Sequence, residues 1–232
     1  RIEYFVLIEI YMIRLYNFLM SKITLAEKIY YDIEEKIVKL EYKPGSFLTE
    51  NFLEKNLRCG RTPIREAIQK LAREGLIKVI PRKGLLVTHI DINDQLNLIQ
   101  VRRELEKLMA KLSAKNASRA QKDKFLKISK LMKKCKNNDN TRFIKLDKEM
   151  NDLLAISCDN EFLRRSMRLV SGLSRRFWFY RNLKSLDDLT IIAGLHSAVC
   201  ESICKGDQLN AEKKTEKLMD YIEKFTKDSI QL

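Results

Sequence analysis

Only three prolines occur in the 232 residues, none of them after Pro81, and four of the seven glycines also precede residue 90. Helix breakers therefore punctuate the first part of the chain and nearly vanish from Asp91 onward, where long uninterrupted helices are expected. Histidine is as scarce: His89 and His196 are the two, far apart in sequence. With no phosphate loop, HExxH or nucleophile elbow beside them, an enzyme is not expected. The five cysteines (Cys59, Cys135, Cys158, Cys200, Cys204) are odd in number and form no CxxC pair. That usage excludes a disulfide framework and points to a reducing, cytoplasmic compartment. Cys200 and Cys204, one helical turn apart, suit a redox or soft-metal pair, or more commonly two thiols packed into a helix face.

Long uncharged apolar runs are missing too. The opening RIEYFVLIEIYMIRLYNFLM is interrupted by Glu3, Glu9 and Arg14, short of the roughly 20 residues that span a bilayer, and has no small-residue cleavage site. No membrane partner is expected. Met20-Ser21-Lys22 reads as an ordinary start, so residues 1–19 are expected to be a non-native or disordered extension, with an amphipathic arm as the alternative.

What the chain has in excess is positive charge: a formal +14 and a pI near 9.5, on a composition 45% hydrophobic that supports a packed core. Such a balance points to nucleic acid or another anionic surface. The excess lies in both halves of the chain, so nucleic acid need not account for all of it.

Apolar residues Leu25, Ile29, Ile33 and Ile37 recur at helical spacing, with Leu40 closing the face, and YKPGS ends that helix. A short second helix fits TENFLEKNL, with Thr49 as its N-cap and Glu50 at the positive end of its dipole. A third runs from Gly60 or Arg61 to Arg73, Pro63 being tolerated in its first turn. Its apolar face is Ile64, Ala67, Ile68 and Leu71, leaving Arg61, Thr62, Arg65, Gln69 and Lys70 outward. LIKVIPRKGLLVTHI then reads as two short strands hinged at Pro81–Gly84. Three helices and a basic hairpin form the pattern of a winged helix-turn-helix, whose third helix presents its N-terminal residues to the major groove. Arg61 and Arg65 suit guanine or phosphate, Thr62 suits phosphate, and Arg82 and Lys83 suit the backbone or adjacent minor groove.

The run GSFLTENFLEKNLRCGRTPIREAIQKLAREGLIKVIPRKGLLV resembles the DNA-binding domain of the GntR family of bacterial transcription regulators. The match falls on Arg61, Thr62, Pro63, Arg65, Glu66, Ala67, Leu71, Glu74, Gly75, Leu76, Pro81, Arg82, Gly84 and Val87. By resemblance, Arg61, Thr62, Pro63, Arg65, Arg82, Lys83 and Gly84 form the surface for a near-palindromic double-stranded operator. Gly60 departs from the Ser or Thr that the family places as helix cap, removing a hydroxyl suited to phosphate.

From Asp91 the sequence predicts helices over roughly 92–116, 119–137, 140–156, 160–183, 187–205 and 208–230, an antiparallel all-α bundle. VRRELEKLMAKLSA, FIKLDKEMNDLLAISCDNEFL and LHSAVCESICKGDQLNA resemble three helices of the FCD effector-binding domain of the same family. The whole is then mostly α: a winged helix-turn-helix over 20–90 and an effector-binding and dimerisation bundle over 91–232. The resemblance implies a homodimeric regulator, more commonly a repressor, controlled by a small organic acid; the alternative is a regulator whose bundle only dimerises.

Family members commonly hold a divalent metal by one Asp and three His, and these positions carry over to Asp147, Asn151, His196 and Leu218. Asn offers a weak carbonyl oxygen and Leu no donor, which leaves Asp147 and His196 as the metal ligands of a degenerate site. Glu216 and Asp220 are the nearby acids that could compensate. A metal-free hydrogen-bonded pocket is the expectation, with Arg102, Asp147, Asn151 and His196 as effector-binding candidates. Arg102 suits an effector carboxylate or, equally, an ion pair with Glu106 one turn on. SRRFWFYRN suits core and dimer packing better than base stacking.

Overall fold

The computed structural model describes residues 24–136, 139–182 and 189–228; residues 1–19, expected as an extension, lie outside them. The chain divides into two compact units, the first running to Ile37 and from Glu41 to Thr88, the second from His89 onward together with Val38–Leu40.

The first unit begins with α1 (Leu25–Val38). Thr24 and Glu27 form a reciprocal cap, Thr24 Oγ1 accepting from the Glu27 amide at 3.2 Å and Glu27 Oε2 from the Thr24 amide at 3.0 Å. Of the anticipated stripe, Ile29, Ile33 and Ile37 are buried while Leu25 stays exposed. After β1 (Phe47–Leu48) come α2 (Glu50–Leu57), α3 (Arg61–Arg73), β2 (Ile77–Ile80) and β3 (Gly84–Val87). Thr49 caps α2 as anticipated, accepting from the Phe52 amide at 3.1 Å. α3 buries Ile64, Ala67, Ile68 and Leu71, and Leu53, Ile33 and Leu76 of the same unit are fully buried too. It stops at Gly75, whose φ of 74° lets the Leu76 amide reach the Leu71 carbonyl and the Gly75 amide the Ala72 carbonyl.

The wing has three strands rather than the expected two. β1 pairs antiparallel with β3 (Phe47 opposite Leu86) and β3 with β2 (Lys78 opposite Leu86). Lys70, anticipated on the outer face of α3, instead folds back with Nζ 3.9 Å from the centre of the Tyr30 ring.

The second unit comprises α4 (Ile92–Asn116), α5 (Arg119–Met132), α6 (Asn140–Ser157), α7 (Glu161–Asn182), α8 (Leu189–Cys204) and α9 (Gln208–Asp228). Asp91, Ser118 and Asp207 cap α4, α5 and α9 through side-chain oxygens. α5 ends several residues short of the expected 137, with Lys133–Lys136 forming a turn that buries Cys135. Phe125, Met132, Phe143, Cys200, Ile203 and Met219 sit at the centre of the core. Trp178 joins it beside Phe225 and Phe143, ring centres 5.1 and 6.1 Å away, so the aromatic segment of α7 packs internally. Cys200 is fully buried and Cys204 half-buried, its thiol donating to the Lys122 carbonyl at 3.1 Å. Burial raises both thiols above their ordinary range, the setting of packed rather than reactive sulfur.

α4 and α9 lie side by side and are stitched by charge. Arg103 reaches Glu216, Asp220 and Glu223 at 2.5, 2.6 and 2.8 Å, Lys107 reaches Glu216 at 2.7 Å, and Lys111 reaches Glu212 at 3.0 Å. No helix among the described residues is long and apolar enough to cross a membrane.

Candidate functional site

Two places carry exposed or buried chemistry, one in each unit. In the first, α2 ends at Arg58 in the left-handed region (φ 50°), and Gly60 then starts α3 with no side-chain cap. The first turn of α3 presents Arg61, Thr62 and Arg65 to solvent, with Pro63 half-exposed among them. Glu54 lies 3.3 Å from Arg61 Nε, and Glu50 accepts from Arg65 Nε at 2.9 Å.

The wing tip is a four-residue turn closed by the Lys83 amide on the Ile80 carbonyl at 3.1 Å. Pro81 fixes its second position and Arg82 takes φ 65° at the third, the backbone of a type II turn with arginine where glycine is usual. Arg82 and Lys83 are exposed. Gly84 has φ 108°, and a β-carbon there would lie 2.7 Å from the Leu48 carbonyl oxygen. Its demand is thus at least partly structural: β1 runs too close for any side chain.

In the second unit, Asp147 and Asn151 of α6 meet His196 of α8. His196 Nε2 stands 3.1 Å from Asp147 Oδ1, and Asn151 Nδ2 donates to the same oxygen at 3.1 Å. His196 Nδ1 donates to the Ile192 carbonyl at 2.8 Å. Burial alone would lower the imidazole pKa, but the Asp147 hydrogen bond and charge and the Ile192 carbonyl together hold it above its ordinary value. Burial would raise Asp147, yet the hydrogen bond and charge of His196, with the charges of Arg102 and Arg175, hold it below its ordinary value. Both shifts favour the imidazolium–carboxylate form of the pair.

Beside it lies a cavity of about 10 Å³, bounded by Glu106, Ala110, Asn151, His196, Thr215 and Leu218 among others, room for about one water. Arg102 lies one turn from Glu106, which accepts from its Nε at 2.5 Å.

Comparison with known families falls on these same two units. The model described as bacterial regulatory proteins, gntR family, matches residues 25–87, and the FCD domain model matches residues 97–221. The chain belongs to the gntR family of bacterial regulatory proteins. That family is one of regulators rather than enzymes. Among curated relatives, the uncharacterized HTH-type transcriptional regulator YdhC of Bacillus subtilis is 27% identical over 148 residues, covering 63% of this chain and 66% of that protein. The Nta operon transcriptional regulator of Aminobacter aminovorans is 26% identical, covering 58% of this chain and 64% of that protein. The chain thus spans a little under two thirds of these relatives. Among solved structures, McbR/YncC of E. coli superposes with a TM-score of 0.76 at 14% identity, covering 90% of this chain and 99% of that one. A GntR regulator of Rhodococcus sp. RHA1 does so with 0.64 at 15%, covering 87% and 96%. At such identities they show the fold.

The FCD domain here does not fit the metal its family implies. Asp147 and His196 converge, but Asn151 directs its amide nitrogen at Asp147 rather than an oxygen at a shared centre, and Leu218 contributes only a hydrocarbon wall. The compensating acids suggested by sequence, Glu216 and Asp220, are engaged by Arg103. Among the described residues no three His, Cys, Asp or Glu side chains are grouped to hold an ion.

Glu50, expected only at the positive end of the α2 dipole, and Glu54, given no role by the sequence, both lie beside the arginines of α3. Thr215, on the cavity wall, gives no sequence signal: its hydroxyl is spent on the Ala211 carbonyl at 2.8 Å.

Proposed function

We propose that this gntR-family chain is a sequence-specific DNA-binding transcription regulator, in which Arg61, Thr62, Pro63 and Arg65 read the major groove and the Arg82-Lys83-Gly84 wing follows the backbone. The observation that carries this reading is the exposure of Arg61, Thr62 and Arg65 together on the first turn of one helix, in the same small unit as a basic wing tip. An α3 pressed into the groove by its N-terminus puts those donors at base edges and phosphates. A homodimer would place two such units on a near-palindromic operator, acting as a repressor. Selection of genomic fragments by the purified protein at physiological salt tests it. A few discrete sites sharing an inverted repeat, with half-sites about one helical turn apart, are expected; diffuse binding abolished by modest salt would refute it.

The FCD domain is read as the control module for a small carboxylate, with Arg102, Asp147, Asn151 and His196 at its binding place. Arg102 and His196 are two of the three cations that act on Asp147, with Arg175, and an effector carboxylate would replace Glu106 or Asp147 as the partner of those two. A thermal-shift screen of small mono- and dicarboxylates tests this, since a ligand of the folded state raises Tm by mass action. The second reading, a domain that only dimerises, is favoured by the cavity of about 10 Å³ and by the internal pairing of both cations. A flat screen would select it.

A further inference from the structure

The two arginines on the first turn of α3 are not bare charges. Both face an acid of the preceding helix, Arg65 through a hydrogen bond and Arg61 through charge alone. Arg65 Nε donates to Glu50 Oε2 at 2.9 Å, and Arg61 Nε lies 3.3 Å from Glu54 Oε1. Glu50 and Glu54 stand one turn apart on α2, whose position is fixed by the Thr49 cap and by fully buried Leu53.

A guanidinium is a planar fork with five donors, and its edges can be used separately. Bonding at Nε consumes one donor near the stem and leaves the Nη1 and Nη2 end free. That end supplies the two parallel donors that guanine O6 and N7 accept. An arginine 61% exposed would otherwise sample many rotamers, and each would have to be given up on binding. The carboxylate also stands beside the surface that meets phosphates, where it opposes binding that lacks a compensating base contact.

We propose that Glu50 is a positioning residue for sequence readout: it holds Arg65 by Nε so that the terminal edge of the guanidinium is set for a base edge, and it weakens binding to DNA that offers no such edge. This rests on the assignment of α3 as the reading helix made under Proposed function.

The test is selection from a library of DNA duplexes with a randomised core, at fixed physiological salt, by the full chain and by Arg65→Ala, Glu50→Ala and Glu50→Gln, with thermal melts confirming that each variant is folded. The unaltered protein selects a motif, and Arg65→Ala flattens one position in each half-site. Glu50→Ala flattens that same position, with about a tenfold loss of discrimination and about a threefold gain in affinity for mixed-sequence DNA. Glu50→Gln, whose amide oxygen still accepts from Nε, keeps the preference.

Glu50→Ala selecting the original motif while Arg65→Ala loses it would overturn the proposal and leave the reading helix standing. Equal flattening by Gln and Ala would overturn it as well, because charge rather than orientation would then be the cause. An unaltered protein that selects no motif, or an Arg65→Ala that selects the same one, would overturn the reading-helix assignment and this inference with it.

Discussion

His196 Nε2 and Asp147 Oδ1, on α8 and α6, stand 3.1 Å apart in the interior of the helical unit, and the other imidazole nitrogen is occupied by the Ile192 carbonyl at 2.8 Å. Both ring nitrogens face acceptors, so the neutral ring would leave a lone pair aimed at an oxygen. Protonation resolves that conflict.

The pair gives stability a pH signature. His196 is raised above its ordinary 6.5, so its contribution is fully present below that pH and is lost as pH rises through the higher folded value. Asp147 is lowered from its ordinary 3.8, so its contribution is present above that pH and lost as pH falls through the lower folded value. Stabilisation is therefore greatest between the two ordinary values. His196→Gln is expected to cost about 3 kcal/mol there, as for a buried pair broken on one side, and distinctly less at pH 9. Thermal melts of both proteins at pH 5.5 and 9 check this; a pH-independent difference would mean a neutral imidazole.

Much of this architecture could be read from residue order, for a physical reason. Helix periodicity and caps are local, so α2 and α3 carry their own start signals in Thr49 and Pro63, and Gly75 its stop. β1 could not be read, because two residues hold no alternation and its existence depends on β3 some forty residues on. Lys70 was misplaced because periodicity assigns faces but cannot know that Tyr30 offers a ring. The pocket is harder still. α4 carries charge around much of its surface, and only tertiary packing decides that Arg102 turns to Glu106 while its neighbour Arg103 takes the acids of α9. Asp147 and His196 were reached through family resemblance; spacing alone would not have paired residues on separate helices.

The wing tip holds a trade between stability and charge. Arg82 adopts φ 65°, a conformation that disfavours side chains by about 1 kcal/mol. Arg82→Gly is expected to raise Tm slightly while weakening binding to all DNA sequences and making the salt dependence shallower by up to about one unit of slope. Melts and binding titrations at several salt concentrations check both halves together.

Gly84 behaves in the opposite way. Its φ of 108° and the 2.7 Å approach of the Leu48 carbonyl leave no room for a methyl group. Gly84→Ala is expected to cost about 2 kcal/mol, the range for a strained backbone that must also shift a neighbour. Loss of DNA binding in that variant would therefore report wing distortion before any lost contact, and amide exchange in β1 and β3 separates the two.

Gly60 offers a gain. It sits at φ −77°, which any residue adopts, and a β-carbon there meets nothing within 4 Å. Gly60→Ser is expected to stabilise by a few tenths of a kcal/mol through a hydroxyl cap on the free amides of α3. On the proposed docking it also adds a donor at the phosphate side, so tighter operator binding should accompany the higher Tm. A higher Tm with unchanged affinity would place residue 60 away from the DNA.

The misfit of the pocket to a metal can be reversed if the positional correspondence is right. Asn151 and Leu218 both border the cavity that His196 borders, and Asp147 adjoins it through its bonds to Asn151 and His196. Replacing Asn151→His and Leu218→His together supplies three imidazoles and a carboxylate, a donor set suited to zinc, nickel or manganese. Without metal the double variant should melt lower than the parent, because Leu218 is buried and an imidazole there is left without its ion. With metal it should regain that loss and bind one ion per chain, whereas the parent's Tm should not respond. Metal-dependent melts with elemental analysis read both effects. A double variant that stays low in every metal would mean that the four positions do not surround a common point.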